Sequence, residues 1–281
     1  MNSLEVLFDK RGRCKPSKRS RVFERLSIFN ENFSNDYYYK INVKEIELKE
    51  IYKRYVDNGI EVSNLPSLEI FQNTTEALLQ EIESNPILDG MLNGPHVPFI
   101  IPSYDAKSDI GDDIESNILP MLSKSFHKYD SKAHFKSVFQ GHSHLNDKIH
   151  YNENSGQDRL LANLSNQAVV GWYFPQAFQE YDYASQVERY SELPLPKNIC
   201  LSGVHDIAAS LIGTPDMLIS EDFYSPILCS SGLKHQDERL VLMFKSYGPH
   251  LEFWCLSQML TPNITQVSEQ WSGGLTIFQS V

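Results

Sequence analysis

The sequence lacks the features of disulfide-rich, collagen-like and membrane-spanning proteins. Its 281 residues include four cysteines without a C-x-x-C pair, so neither a disulfide framework nor a zinc ribbon is expected. Glycine and proline number 14 each, too few for a collagen-like repeat. No apolar run reaches 18 residues, and the first residues lack the basic-then-apolar order of a secretory signal. We therefore expect a soluble, cytoplasmic protein without a membrane partner.

The charge is unevenly distributed along the chain. Residues 1–25 carry eight basic and three acidic groups, a net charge of +5, whereas the remainder carries 17 basic and 33 acidic groups, a net charge of −16. An acidic surface repels a polyanion, so no nucleic-acid partner is expected for the body of the protein. Apolar residues make up 41% of the chain, enough for a core of its own. We predict a basic arm or loop over residues 1–25, mobile over residues 10–21, and one α/β catalytic or binding domain over residues 26–281.

Hydrophobic periodicity predicts helices separated by short strands. The predicted helices span residues 43–57, 66–83, 110–128, 176–190 and 203–212. Strand-like residues occupy 135–139, 168–172, 240–244 and 251–256, and Tyr247-Gly248-Pro249 predicts a hairpin between the last two. Residues 97–102 are apolar and bounded by prolines, which indicates a short or edge strand. The predicted fold class is α/β or α+β, with a mixed sheet and flanking helices in a single compact unit.

Gly141-His142-Ser143-His144 follows a predicted strand and offers two histidines at i and i+2. Such a pair can reach one metal ion from an extended loop. The four residues resemble the GHxH block of the calcineurin-like metallophosphoesterases. However, no D-x-H precedes the block, and Gly203-Val204-His205-Asp206 follows it instead of preceding it. A metal-dependent hydrolase that uses His142 and His144 is therefore one alternative function.

Aromatic side chains interspersed with carboxylates and histidines are typical of a pocket for a planar small molecule. Trp172 and Trp254 are the expected walls, with Tyr173 as a further substrate-binding residue. A carboxylate buried beside such walls has a raised pKa and can exchange protons near neutral pH. The candidate catalytic residues are three carboxylates and three histidines: Glu76, Glu115, Glu252, His96, His205 and His250.

Residues 171–211 resemble part of a known enzyme family. Gly171-Trp172-Tyr173-Phe174-Pro175, Leu193-Pro194, Gly203 and Ala208-Ala209-Ser210-Leu211 are similar to the C-terminal half of the bacterial β-carboline-forming Pictet–Spengler synthases. The resemblance implies a cofactor-free enzyme that condenses tryptophan with an aldehyde, using a glutamate as acid–base with arginine and histidine support. No catalytic residue of the family aligns with the N-terminal half, where Arg54 is the one arginine between residues 26 and 158.

These observations favour a cofactor-independent enzyme of specialised metabolism that acts by general acid–base catalysis on an aromatic amine or amino acid. A Pictet–Spengler-type condensation is its sharpest form. The expected partner is a small-molecule substrate, with a possible homodimer. The metal-dependent hydrolase is the first alternative. The second is a non-catalytic partner-binding protein or bacterial effector, in which the basic and acidic regions are interaction surfaces.

Overall fold

A computed structural model describes residues 7–18, 38–41, 43–129, 134–139, 144–162, 164–220, 224–257 and 268–281. In this part of the chain, helices pack against a mixed sheet, which confirms the predicted fold class. The helices are α1 Leu48–Asp57, α2 Leu68–Glu83, α3 Ile110–Asp113, α4 Leu119–Tyr129, α5 Gln157–Leu161, α6 Tyr183–Ser191 and α7 Val204–Gly213. The strands are β1 Val97–Ile101, β2 His134–Ser137, β3 Ile149–Tyr151, β4 Val169–Glu180, β5 Ile199–Leu201, β6 Ile227–Cys229, β7 Leu233–His235, β8 Leu240–Tyr247, β9 His250–Ser257 and β10 Ser268–Ser280.

Eight of the strands in the described residues form one sheet in the order β1-β4-β10-β6-β8-β9-β2, with β5 also paired to β10. Strands β10 and β6 are parallel, as are β2 and β9, and the other pairs are antiparallel. Strand β1 lies at one edge, as its flanking prolines predict, because Pro98 cannot donate a ladder hydrogen bond. The predicted hairpin is confirmed as β8 and β9.

Strand β4 continues well beyond the predicted end at Trp172. Pro175 is accommodated because it lies opposite an irregularity in β10 between Gly273 and Leu275, where the register shifts. The prediction of a helix from residue 176 was wrong over its first turns. The helix α6 begins after Asp182, whose carboxylate accepts a hydrogen bond from the Ser185 N–H at 2.8 Å and caps the first turn.

The predicted helix over residues 110–128 is interrupted. A π-helical turn, Ile114–Ile118, separates α3 from α4. This turn precedes Pro120, which has no N–H to continue a regular helix. The helix α2, by contrast, follows its apolar stripe closely, and the side chain of Ser67 caps it by accepting from the Ile70 N–H.

Residues 7–18, which fall within the predicted basic arm or loop, pack against the body of the protein. Cys14 is fully buried, and its carbonyl accepts a hydrogen bond from the Tyr181 hydroxyl at 2.7 Å. Arg13 is also buried and pairs with Asp9 at 2.8 Å. This part of the segment therefore packs against the core, while the predicted boundary at residue 25 lies outside the described residues and stays a prediction.

None of the helices in the described residues is both long enough and apolar enough to cross a lipid bilayer.

Candidate active site

A cavity of about 860 Å³ lies between the N-terminal end of α1, one face of α2 and the start of β1. This volume is in the range of small-molecule binding sites. Three residues that the sequence analysis selected, Glu76, His96 and Trp172, lie in its wall. The remaining lining residues are Val43, Lys44, Glu45, Ile46, Leu48, Ile51, Gln72, Asn73, Thr75, Leu79, Gly94, Pro95, Val97, Pro98 and Thr214.

The His96 ring is held in one tautomer. Its Nδ1 lies 2.9 Å from the Gly94 carbonyl oxygen, and because a carbonyl only accepts, Nδ1 must carry the proton. The ring stacks on Phe174 with centroids 5.5 Å apart and meets the edge of Trp172 at 5.3 Å. A neutral His96 therefore has its lone pair on Nε2. Such a nitrogen can act as a general base.

Trp172 is fixed in the wall by a hydrogen bond from its indole N–H to the Thr75 carbonyl at 2.9 Å. Trp172 and Phe174 occupy alternate positions of β4 and so share one face of the strand. Tyr173 lies on the opposite face, fully buried in a different hydrophobic cluster. Burial raises the pKa of the Tyr173 hydroxyl well above its ordinary value. Tyr173, expected as a substrate-binding residue, therefore faces away from the cavity that Trp172 lines.

One side of helix α2 lines the cavity with mainly polar residues. Of these, only Glu76 was a candidate in the sequence. Four lining residues are related by spacings of three or four and so lie along one side of the helix: Gln72, Thr75, Glu76 and Leu79. Glu76 is exposed, and its carboxylate accepts a long hydrogen bond of 3.4 Å from Gln80. Its chemistry is therefore that of a solvated carboxylate rather than the buried one that was expected.

Thr214, which was not a candidate in the sequence, also lines the cavity. It follows the end of α7 and is 1% exposed. Its hydroxyl has no hydrogen-bond partner among the described residues. A buried hydroxyl without a partner costs free energy unless a ligand or water satisfies it. Its position more than 130 residues from Glu76 in the sequence leaves no local pattern that could have identified it.

The other predicted carboxylates and histidines lie away from this cavity. Glu115 is buried in the π-helical turn, where it accepts a hydrogen bond from the Leu145 N–H at 2.8 Å. Glu252 accepts a hydrogen bond of 2.7 Å from the Trp254 indole N–H on β9. His250 stacks against His134 of β2, with ring centroids 5.2 Å apart. These residues do not converge with Glu76 and His96.

His205 forms a buried pair with Asp113. Its Nε2 lies 2.8 Å from Asp113 Oδ2, and the same oxygen accepts from the Tyr104 hydroxyl at 2.7 Å. The Lys107 N–H and the Asn117 amide donate to the other carboxylate oxygen. Burial favours a higher pKa for Asp113, but the hydrogen bond and charge of His205, with the other donors, hold that pKa at about 2. The pair is separate from the cavity, since neither residue lines it.

The predicted histidine pair is described only in part. His142 lies outside the described residues, and His144 is exposed in the wall of another cavity of about 710 Å³. His235, Asp237 and Cys255 line that second cavity too. Within the described part of the chain, no three His, Cys, Asp or Glu side chains are placed to hold one metal ion.

The cysteines are poor candidates for a nucleophile. Cys14, Cys200 and Cys229 are fully buried. Burial raises the pKa of the Cys14 thiol to about 11 and that of Cys229 to about 12. A thiol with such a pKa contains very little thiolate at neutral pH.

No protein-family model, curated protein sequence or solved structure matches the chain.

Proposed function

We propose that the protein is a cofactor-independent enzyme that performs acid–base chemistry on an aromatic amine or amino acid in the cavity of Glu76, His96 and Trp172. The observation that carries the proposal is that these three residues line one cavity of about 860 Å³. They come from a helix, a loop and a strand, and His96 and Trp172 are further fixed by hydrogen bonds to backbone carbonyls. Side chains fixed in this way need little reorganisation on binding.

His96 is the proposed proton carrier, through Nε2. Imidazole is the side chain whose ordinary titration range includes neutral pH, so it can accept and return a proton within one turnover. Glu76 is the proposed electrostatic partner, since an ionised carboxylate stabilises a developing organic cation. Trp172 supplies an apolar wall for an aromatic substrate.

A Pictet–Spengler-type condensation is the most specific reaction that this proposal includes. The bound ammonium first loses one proton to water, and the neutral amine nitrogen bonds to the aldehyde carbon. One proton is then taken up as the aldehyde oxygen leaves as water, which gives an iminium cation. A carbon of the aromatic ring then bonds to the iminium carbon, and the ring loses one proton to a base. The sum is amine plus aldehyde giving a cyclised amine plus water. Glu76 would stabilise the iminium, and His96 would take the ring proton.

Mass spectrometry of reactions with acetaldehyde and either tryptamine or L-tryptophan tests the proposal. We expect a product with the summed mass less one water that co-elutes with the synthetic cyclised amine, since the open-chain imine has the same mass. His96→Gln should lower its rate about 100-fold or more, the usual contribution of a general base. Glu76→Gln should also lower the rate, by about 10-fold, since an exposed carboxylate contributes less than a buried one.

His150→Gln on the exposed surface of β3 is the matched control and should react like the wild type. Melting temperatures of all three variants establish that each is folded. The proposal is wrong if neither amine gives a product, or if folded His96→Gln retains the wild-type rate.

A further inference from the structure

The charged groups around the cavity have an excess of negative charge. The lining residues include Glu45, Glu76 and one ammonium, that of Lys44. Lys44 Nζ lies 3.5 Å from the Asp216 carboxylate, and Asp216 is not a lining residue. Within the described chain, neither Glu45 nor Glu76 forms an ion pair. The wall therefore has two carboxylates and one ammonium, and neither carboxylate is paired within the described residues.

Such a wall favours a cation with an apolar body. The carboxylates attract a positive charge, and the acidic protein as a whole adds to this attraction at long range. The face of an indole, as in Trp172, also attracts a cation. The apolar part of the wall comes from Val43, Ile46, Leu48 and Leu79, which suits the hydrocarbon or aromatic part of such a molecule.

Thr214 provides a separate indication of a polar ligand group. Thr214 lines the cavity, and its buried hydroxyl has no partner among the described residues. A hydroxyl oxygen accepts hydrogen bonds, and an ammonium has up to three N–H donors and no acceptor. An ammonium therefore offers a donor of the kind that the Thr214 hydroxyl lacks.

We infer that the ligand is a protonated arylalkylamine and that the cavity selects it over the corresponding α-amino acid. The inference rests on the proposed function and chooses between its two substrate classes. An amino acid has an additional carboxylate, which would be repelled by Glu45 and Glu76. The one lining ammonium, Lys44, lies 3.5 Å from the Asp216 carboxylate, which offsets part of its attraction for a ligand carboxylate. The amine brings its positive charge without that repulsion.

Calorimetric titration at pH 7 with tryptamine, L-tryptophan and 3-methylindole tests this inference. These probes share the indole and differ in charge. We expect tryptamine to bind at least 10-fold more tightly than either of the other two. The double variant Glu45→Gln/Glu76→Gln should bind tryptamine at least 10-fold more weakly and lose most of the preference. Glu83→Gln, at the far end of α2 and outside the cavity wall, should bind like the wild type.

The failures of the two proposals are distinguishable. If L-tryptophan binds as tightly as tryptamine, or 3-methylindole does, the inferred selectivity is wrong while the cavity remains a binding site. If the double variant keeps the wild-type preference, the carboxylates are not its source and the inference is also overturned. If none of the three probes binds, both the selectivity and the proposed function on aromatic amines and amino acids are contradicted.

Discussion

At the scale of single residues, the predicted histidines differ in whether a ligand can reach them. His96 lies in a cavity wall and has its proton placed on Nδ1 by Gly94. His205 is enclosed in the core and donates from Nε2 to Asp113, which has three further donors. A fully hydrogen-bonded carboxylate of this kind stabilises the fold in its ionised form. We therefore propose a structural role for His205 and Asp113 and keep His96 as the proposed proton carrier.

The stability that Asp113 contributes should depend on pH. Its folded-state pKa of about 2 lies below the ordinary value of 3.8, so the contribution is fully present above pH 4 and is lost as the pH falls toward 2. Asp113→Asn should lower the unfolding free energy by about 1–2 kcal/mol more at pH 5.5 than at pH 2.5. Denaturant titrations at the two pH values measure this difference.

Asp105→Asn is the control for this prediction. Asp105 is exposed and should change the unfolding free energy by less than about 0.5 kcal/mol at either pH. A loss in Asp113→Asn that is the same at both pH values would contradict the proposed role of the ionised carboxylate.

At the scale of elements, the loop that carries His96 depends on a turn near the N-terminus. Gly12 has φ +75°, and a Cβ placed there would lie 2.4 Å from the backbone nitrogen of Gly94. Residues 9–13 are held in this turn by the Asp9 carboxylate, which accepts from the N–H groups of Arg11 and Arg13. The basic segment thus supports the residue before Pro95 and His96, although its composition suggested a mobile arm.

Gly12→Ala should therefore lower both stability and activity. The positive φ and the contact with Gly94 together should cost more than about 1 kcal/mol of unfolding free energy. Displacement of Gly94 should also weaken the fixed orientation of His96 and lower the turnover rate. Thermal unfolding and steady-state kinetics measure the two effects.

Gly248→Ala is the control that has the backbone strain of a positive φ without a close contact. Gly248 also has a positive φ, of +56°, but a Cβ there meets nothing within 4 Å, and it lies in the β8–β9 turn. This variant should lose some stability through backbone strain alone and keep the wild-type rate. If Gly12→Ala also keeps the wild-type rate, the support of the His96 loop by this turn is refuted.

The elements that sequence analysis located best are those with a local signal. The helix α2 has a continuous apolar stripe, and the β8–β9 hairpin has its own turn residues. Strand β4 extends past the predicted end at Trp172 and through Pro175, and only the irregularity in β10, some 100 residues away, makes room for this proline. Alternation along β4 could have separated Tyr173 from Trp172, since it needs only the two-residue period of a strand.

At the scale of the whole molecule, the site depends on contacts that are distant in sequence. Glu76, His96 and Trp172 were each selected as candidates, but their meeting in one cavity requires the β1–β4 pairing and the packing of α2 on β4. Thr214 and the segment before α1 complete the wall and have no motif of their own. The net charge of −11 belongs to the whole molecule. Like the cavity carboxylates, it favours a cationic ligand.

NMR of the His96 ring during titration with tryptamine tests the proposed site most directly. The His96 Cε1–H resonance is assigned by its absence in His96→Gln, and His150 serves as an internal reference on the exposed surface of β3. We predict that tryptamine shifts the His96 resonance in a saturable manner and leaves that of His150 unchanged. A His96 resonance that stays in place at saturating tryptamine, or that shifts no more than His150, would contradict the assignment of this cavity as the site of binding and catalysis.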